Sequence, residues 1–485
     1  MIFAREGRVR EEGSKMVRYI FLFVWSLAVT LTIGCASARE RQAFDDLDAV
    51  EKTAPYTTTS PSPDRPDLPI LSGEGSLSDY LAYAALNNPG LEAAFNRWKA
   101  ALETVPQVRS LPDPRFSYAY FIREVETRVG PQRHKFGISQ MFPWFGKLGL
   151  RGKAALEAAN AERERYEAAK LKLFYHVKKA YYEYYYLGRA ISITDENIRL
   201  ITYLEAVART KYKAGAPAHA AVIRAQVELG TLEDQLHTLR DLARPITAEL
   251  NAALNRPSDA SLPWPRSIPE EEVVFTDQQL LSWLRERNPE LKAMDSIAAK
   301  EKAAVDIAKK DYFPDITAGV DYIETDSALM PNTRDSGKDP VVGMLSINVP
   351  IWREKYRAAE REAKARYEAS LKKRTDRENT LVANLEMALY GVRDAERKID
   401  LYRDTLIPKG EQSLKVTQQA YEAGRADFLD LIDAQRVLLE FKLSYERALA
   451  NRAQRLAEIE MLVGREMPRT DRQMIEPAEA DNDDQ

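Results

Sequence analysis

Cysteine is nearly absent from this chain. It occurs once in 485 residues, at Cys35, which excludes an internal disulfide and any cysteine-rich zinc site. Histidine is scarce as well. His134, His176, His219 and His237 are scattered without ligand spacing, so no metal centre is expected and no cofactor is implied. Neither charge sign dominates: 70 basic against 74 acidic residues give a net charge of −4, with no basic excess to suit nucleic acid. Long apolar runs are missing after the N-terminal region, where no segment offers the roughly 20 residues of a membrane helix. If the chain spans a membrane, it must do so with strands. Proline is absent from Lys147 to Lys211, a stretch that as helix makes a rod of roughly 100 Å at 1.5 Å per residue. No pairing of nucleophile and base is visible, and GLRGKA from Gly149 lacks the earlier glycine and the final Ser or Thr of a phosphate loop. Enzymatic chemistry is not expected.

The first 35 residues are informative in a different way. Met16-Val-Arg-Tyr opens the run IFLFVWSLAVTLTIG, which ends at Cys35. A basic start, an apolar core of roughly 15 residues and small residues at its end describe a secretory signal. MIFAREGRVREEGSK is too charged to belong to it, so translation is expected to start at Met16. TIGC resembles a bacterial lipobox, with Thr32 where leucine is usual, and lipidation of Cys35 is the expectation. The competing reading is an ordinary signal cut near Ala36 to Ala38.

The chain is written twice. Asn88-Pro89, Leu91, Ala93 and Pro114 return about 200 positions later as Asn288-Pro289, Leu291, Ala293 and Pro314. YKAGAPAHAAVIRAQ from Tyr212 matches YEAGRADFLDLIDAQ from Tyr421. The expected layout is a signal at 1–35, an extended lead at 36–75 and a first repeat at 76–255. A proline-rich linker at 256–275, a second repeat at 276–465 and a disordered acidic tail at 466–485 follow.

Each repeat reads as helix, strand, polar loop, strand, long helix, turn, long helix. Phe116, Tyr118, Tyr120 and Ile122 alternate along one strand face, and Phe136, Ile138 and Phe142 along the returning one. Ile316, Ala318, Val320 and Tyr322, then Leu345, Ile347 and Val349, do the same in the second repeat. Strands of about nine residues suit a tilted membrane crossing, although alternation alone fits a soluble hairpin with one buried face equally well. Leu431, Leu438, Tyr445 and Ile459 keep a seven-residue register suited to paired helices. Pro245 and Pro408 are expected to kink or interrupt their helices, and Gly215 and Gly424 to supply the left-handed residue at each reversal. FYHVKKAYYEYYYLG, 174–188, is expected to pack between helices rather than to bind a ligand.

On SQMFPWFGKLGLR, its reduced copy LSINVPIWREKYR, LIPKGEQSLKV and the tips YKAGAPAH and YEAGRADF, this chain resembles the TolC family of bacterial outer-membrane efflux proteins over residues 75–464. The resemblance implies a mainly α protein with a membrane β-barrel. Three chains would give four strands each to one barrel of about twelve, with long helical hairpins forming a coiled-coil tunnel across the periplasm. It implies a passive duct in the outer membrane, a homotrimer whose tips meet a periplasmic adaptor and an inner-membrane pump. Pro143 and Pro350 would then mark the strand–helix junctions. An adaptor is disfavoured because it carries one helical hairpin, and a coiled-coil rod because strand pairs recur in both repeats.

Asp427, Asp430 and Asp433 follow the second tip at three-residue steps, within about 120° of one another on a helix. Asp427 is expected to cap the helix and the others could form a solvated face. The resemblance implies that Asp430 and Asp433 line the closed periplasmic entrance. It also implies a lock at Tyr421, but the position of the usual carboxylate partner is Ala221, leaving Arg425 and Arg224 as candidate locks. The tips at Gly215 and Gly424 are implied to dock the adaptor.

Overall fold

A computed structural model describes residues 38–53, 71, 76–215, 218–265, 267–268, 271–273 and 275–471. Cys35 and the signal lie outside the described residues, as does Pro217. Within the expected extended lead, Ala38–Thr53 is helix α1. ARERQAFDDLDAVEKT holds no Pro or Gly, and the chain leaves the helix just before Pro55. The Pro, Ser and Thr content that suggested an extended lead belongs to later residues.

The remainder begins with Leu77–Asn87 (α2) and Pro89–Arg109 (α3), joined at Asn88, whose side chain accepts from Leu91 N–H. A hairpin of Arg115–Val125 (β1) and Gln132–Phe142 (β2) leads into Lys147–Lys213 (α4), 67 residues in one helix. His219–Ala253 (α5) runs back. After Glu271–Val273 (β3), the order recurs: Asp277–Arg287 (α6), Pro289–Lys310 (α7), Ile316–Thr325 (β4), Val341–Ile347 (β5) and Arg353–Leu401 (α8). A π segment, Tyr402–Leu406, joins α8 to Ile407–Glu422 (α9), and Phe428–Val463 (α10) returns.

The two prolines behave differently. Pro245 sits inside an uninterrupted α5. Pro408 does disturb the ladder. The carbonyl it would crowd, four residues back at Asp404, falls within the π segment, where the wider turn relieves the clash.

The strands form one antiparallel sheet in the order β1-β2-β4-β5, leaving β1 and β5 as edges. Register puts Tyr118, Phe136, Tyr322 and Val341 in one row, and Phe116, Ile138 and Val320 in the next. The other face carries Ser117, Gly137 and Asp321, with Lys135 Nζ 2.7 Å from Asp321. The apolar alternation is therefore real, but its face is not a buried one. Ile122 is 91% exposed and Leu345 75%. A soluble hairpin would cover those side chains; here no other part of the described chain does.

The junctions tie the repeats together. Past Pro143, Trp144 N–H donates to Asp315 Oδ1 at 2.8 Å, and buried Lys147 reaches the same oxygen at 2.9 Å and Asp311 at 3.3 Å. Gly146, at φ 86°, makes the reversal that starts α4. Pro350 lies between β5 and α8, and Asn348 Oδ1 accepts from Asp315 N–H.

The tyrosine run packs as expected, through a polar seam between α4 and α10. Lys178 pairs with Glu460 at 2.5 Å, Tyr185 donates to Glu446 at 2.9 Å, and Arg447 grips Glu183 at 2.8 Å while lying over the Tyr186 ring. Burial pushes the Tyr184 hydroxyl pKa up to about 12; its ring stacks on Trp264, 4.2 Å away in the linker. Linker and tail are both partly ordered: Arg469–Asp471 (β6) pairs with β3, and Met467 is buried. The expected disorder from 466 is therefore wrong through 471, because Met467 is apolar and its N–H donates to Glu460.

The Lys178–Glu460 pair supports a stability test, since both side chains are only 6% exposed. Lys178→Met should lower stability by about 3–5 kcal/mol, the cost of stranding a buried partner. Lys178→Met/Glu460→Leu should recover much of that, short of the Met467 hydrogen bond. Thermal melts followed by circular dichroism check this, and equal losses in single and double variants would contradict it.

Candidate functional site

The two helical reversals come together at one end of the hairpins. Gly215, at φ 87°, follows α4, and Gly424, at φ 69°, follows α9. Both occupy the left-handed region expected of a helix-ending glycine. Between the tips lies a shared apolar core that includes Ile201, Leu204, Ala221, Val222, Tyr421, Phe428, Leu431 and Ile432. Ala221 is thus a packing residue in the seam.

The polar contact at this seam was not anticipated. Lys211 Nζ donates to the Tyr421 carbonyl at 2.6 Å, lies 3.5 Å from the Glu422 carbonyl, and sits 4.1 Å from the Tyr421 ring centre. A cation there meets a carbonyl at the end of α9, which also accepts from Gly424 N–H at 3.1 Å, and the face of an aromatic ring together. Tyr421 packs edge-on against Phe428 at 5.4 Å, and burial, then the Asp427 charge, raises its hydroxyl above the ordinary value. That hydroxyl has no partner among the described residues. Arg425 and Arg224, the candidate locks, are exposed and make no side-chain bond among the described residues; the polar contact seen at this seam is that of Lys211.

A second tie lies about two turns deeper, Arg436 following Phe428 by eight residues. Buried Glu228 on α5 accepts from Arg436 Nε at 2.9 Å and Nη2 at 2.5 Å. Glu205 holds Arg209 and accepts from Gln226 at 3.2 Å, which fastens α4 to α5. Nearby, Asn197 and Gln435 are buried, with both amide atoms of Asn197 and the Gln435 oxygen unpaired among the described residues. Sequence reading missed Lys211, Glu228 and Arg436. A lysine in the last turn of α4 was a visible signal, but its partner lies about 210 positions away.

The three aspartates divide as their spacing suggests. Asp427 is the N-cap of α10, accepting from Phe428 N–H at 2.6 Å. Asp430 closes the capping box by accepting from Asp427 N–H at 3.2 Å, yet remains exposed. Asp433 is exposed too, 3.9 Å from Arg436 Nη1. Asp430 is therefore tied to the local turn as well as free to face solvent.

Long helical hairpins packed at their tips, joined to a four-stranded antiparallel sheet with an exposed apolar face, define the class of this fold. A model of the outer membrane efflux protein family matches residues 81–256 and again 280–465, and the chain belongs to that family. It is an outer-membrane efflux protein, with its helical part in the periplasm. The cobalt-zinc-cadmium resistance protein CzcC of Cupriavidus metallidurans is 22% identical over 412 residues, spanning 81% of this chain and 91% of that one. Outer membrane protein OprJ of Pseudomonas aeruginosa is 26% identical over 299 residues, 60% of this chain and 61% of that one. Among solved structures, the outer membrane protein VceC of Vibrio cholerae superposes with a TM-score of 0.67 at 18% identity, over 80% of this chain and 96% of that one.

The cap gives a local prediction. Asp427→Ala should cost about 1 kcal/mol and speed amide exchange in the first turn of α10, whereas Asp427→Ser should cost much less. Exchange mass spectrometry of Phe428–Ile432 reads the effect; no change with Ala would remove the cap from the account.

Proposed function

We propose that this chain is the passive outer-membrane duct of a tripartite export system. Three copies close one barrel of about twelve strands. Their helical hairpins form the periplasmic tunnel, and the tips at Gly215 and Gly424 receive a periplasmic adaptor served by an inner-membrane pump. The observation that carries this reading is the four-stranded sheet, apolar and exposed on one face, mixed on the other, where Ser117, Lys135 and Asp321 lie with Val342 and Met344, and unpaired at both edges. A single chain in lipid cannot leave those edges open. Helices of 67 and 49 residues, each leaving the sheet from the end of a hairpin, supply the reach of a conduit.

In this reading the tips are the closed entrance. Lys211 on Tyr421 and Arg436 on Glu228 hold the first hairpin against the second. Asp430 and Asp433, repeated in three copies, form acidic rings that favour cations at the constriction. No step of bond chemistry is assigned to any residue; cargo choice belongs to the pump. Lipidation of Cys35 would add an anchor in the same membrane.

Planar-bilayer conductance of the purified protein tests the duct and its entrance together. Wild type should give small, cation-selective currents. Lys211→Ala/Arg436→Ala should raise mean conductance several-fold, and Asp430→Ala/Asp433→Ala should weaken cation preference. Currents indifferent to all four substitutions would leave a duct but refute this entrance. Folded, inserted protein that passes no current even with the ties removed would refute the duct.

A further inference from the structure

Sheet register sets several segments outside the strands at one height. Phe142, Ile316 and Ile347 are successive cross-strand partners at the helix side of the sheet. Phe145 follows β2 by three residues, Phe313 precedes β4 by three, and Ile351 and Trp352 follow β5 by four and five. All four are exposed, Phe145 by 78% and Trp352 by 74%. They are not strand residues, so the lipid-facing alternation does not account for them. Trp144 stacks on Phe313 at 5.3 Å and stiffens this collar.

Cations are interleaved with these rings. Lys310 Nζ lies 5.8 Å from the Phe313 ring centre, and Arg353 and Lys355 follow Trp352 by one and three residues. Of the acids at the same height, Asp113 precedes β1 by two residues and the others are engaged elsewhere. Asp311 and Asp315 face Lys147, while Glu354 holds Arg361 at 2.6 Å and Arg357 at 3.6 Å. Lys310, Arg353 and Lys355 have no carboxylate partner among the described residues.

We propose that this collar binds anionic phospholipid of the periplasmic leaflet. The rings sit at the boundary of acyl chain and headgroup, where aromatic side chains are favoured, and the unpaired cations take the phosphate. The proposal rests on the strands lying in the membrane, and charge complementarity selects the lipid: zwitterionic headgroups bring no net charge to Arg353 and Lys355. Binding would fix the height at which the long helices leave the bilayer.

The test uses the full chain in nanodiscs of phosphatidylethanolamine alone and of phosphatidylethanolamine with phosphatidylglycerol. Retained lipid is read by native mass spectrometry after gentle extraction, and insertion by protease protection of the strands. Wild type should retain phosphatidylglycerol in several-fold preference, and Arg353→Ala/Lys355→Ala should abolish the preference while inserting normally. High salt should weaken it in wild type. Equal retention by wild type and variant overturns the proposal. So does a variant that loses its assembly in phosphatidylethanolamine alone, which would make the collar a contact between copies. Failure of wild type to insert in either disc would instead overturn the membrane reading beneath it.

Discussion

The unpaired edges of β1 and β5 are the constraint on which the rest of this structure depends. Each edge presents a row of backbone donors and acceptors, and in hydrocarbon every unpaired group costs several kcal/mol. Four strands are too few to curl round and meet each other. A closed wall therefore requires further strands from other copies, which is the proposed barrel. Once the wall is closed, the two faces acquire their roles. In the proposed barrel the row of Tyr118, Phe136, Tyr322 and Val341 would meet lipid, and the Lys135–Asp321 pair would look inward.

The helical end solves a different problem. Its hairpins stand in water, so apolar burial can hold them together, and the seam between α4 and α10 adds buried ion pairs where register matters. Towards the tips the seam changes character. The contacts become a lysine on two carbonyls and a ring, a half-exposed arginine on a buried glutamate, and two amides with unpaired atoms. Hydrogen bonds to charged groups give modest net stability, and unpaired buried amides subtract from it. At the tips the shared apolar core around Leu204, Phe428 and Leu431 supplies the packing, and these few polar ties are laid over it, whereas the seam around Glu460 carries buried ion pairs.

Much of this was legible in the sequence because it rests on local rules. Strand alternation, the proline-free length of α4, the tip glycines, the Asp427 cap and the packing role of the tyrosine run all follow from period or propensity. What was not legible depends on distant partners. Lys211 and Tyr421, or Glu228 and Arg436, meet only after two hairpins have packed, and nothing near either residue announces the other. The errors have local causes as well. Proline and serine after Pro55 coloured a reading that should have stopped short of α1, and the acidic end of the tail hid Met467 and β6. The two prolines differ in outcome: Pro245 leaves α5 uninterrupted, whereas Pro408 lies beside a π turn.

Edge pairing between copies is the claim to test most directly, and cysteine cross-linking does so because Cys35 is the only native thiol. Ser117→Cys on β1 would be combined in turn with Cys at Val342, Met344 or Ser346 on β5. Gly137→Cys/Asp321→Cys, which are direct partners between β2 and β4, serves as the control within one chain. The account predicts that at least one edge combination yields a covalent species of three chains in membranes, while the control stays monomeric. A control that closes its disulfide while every edge combination remains monomeric or stops at two chains would contradict it.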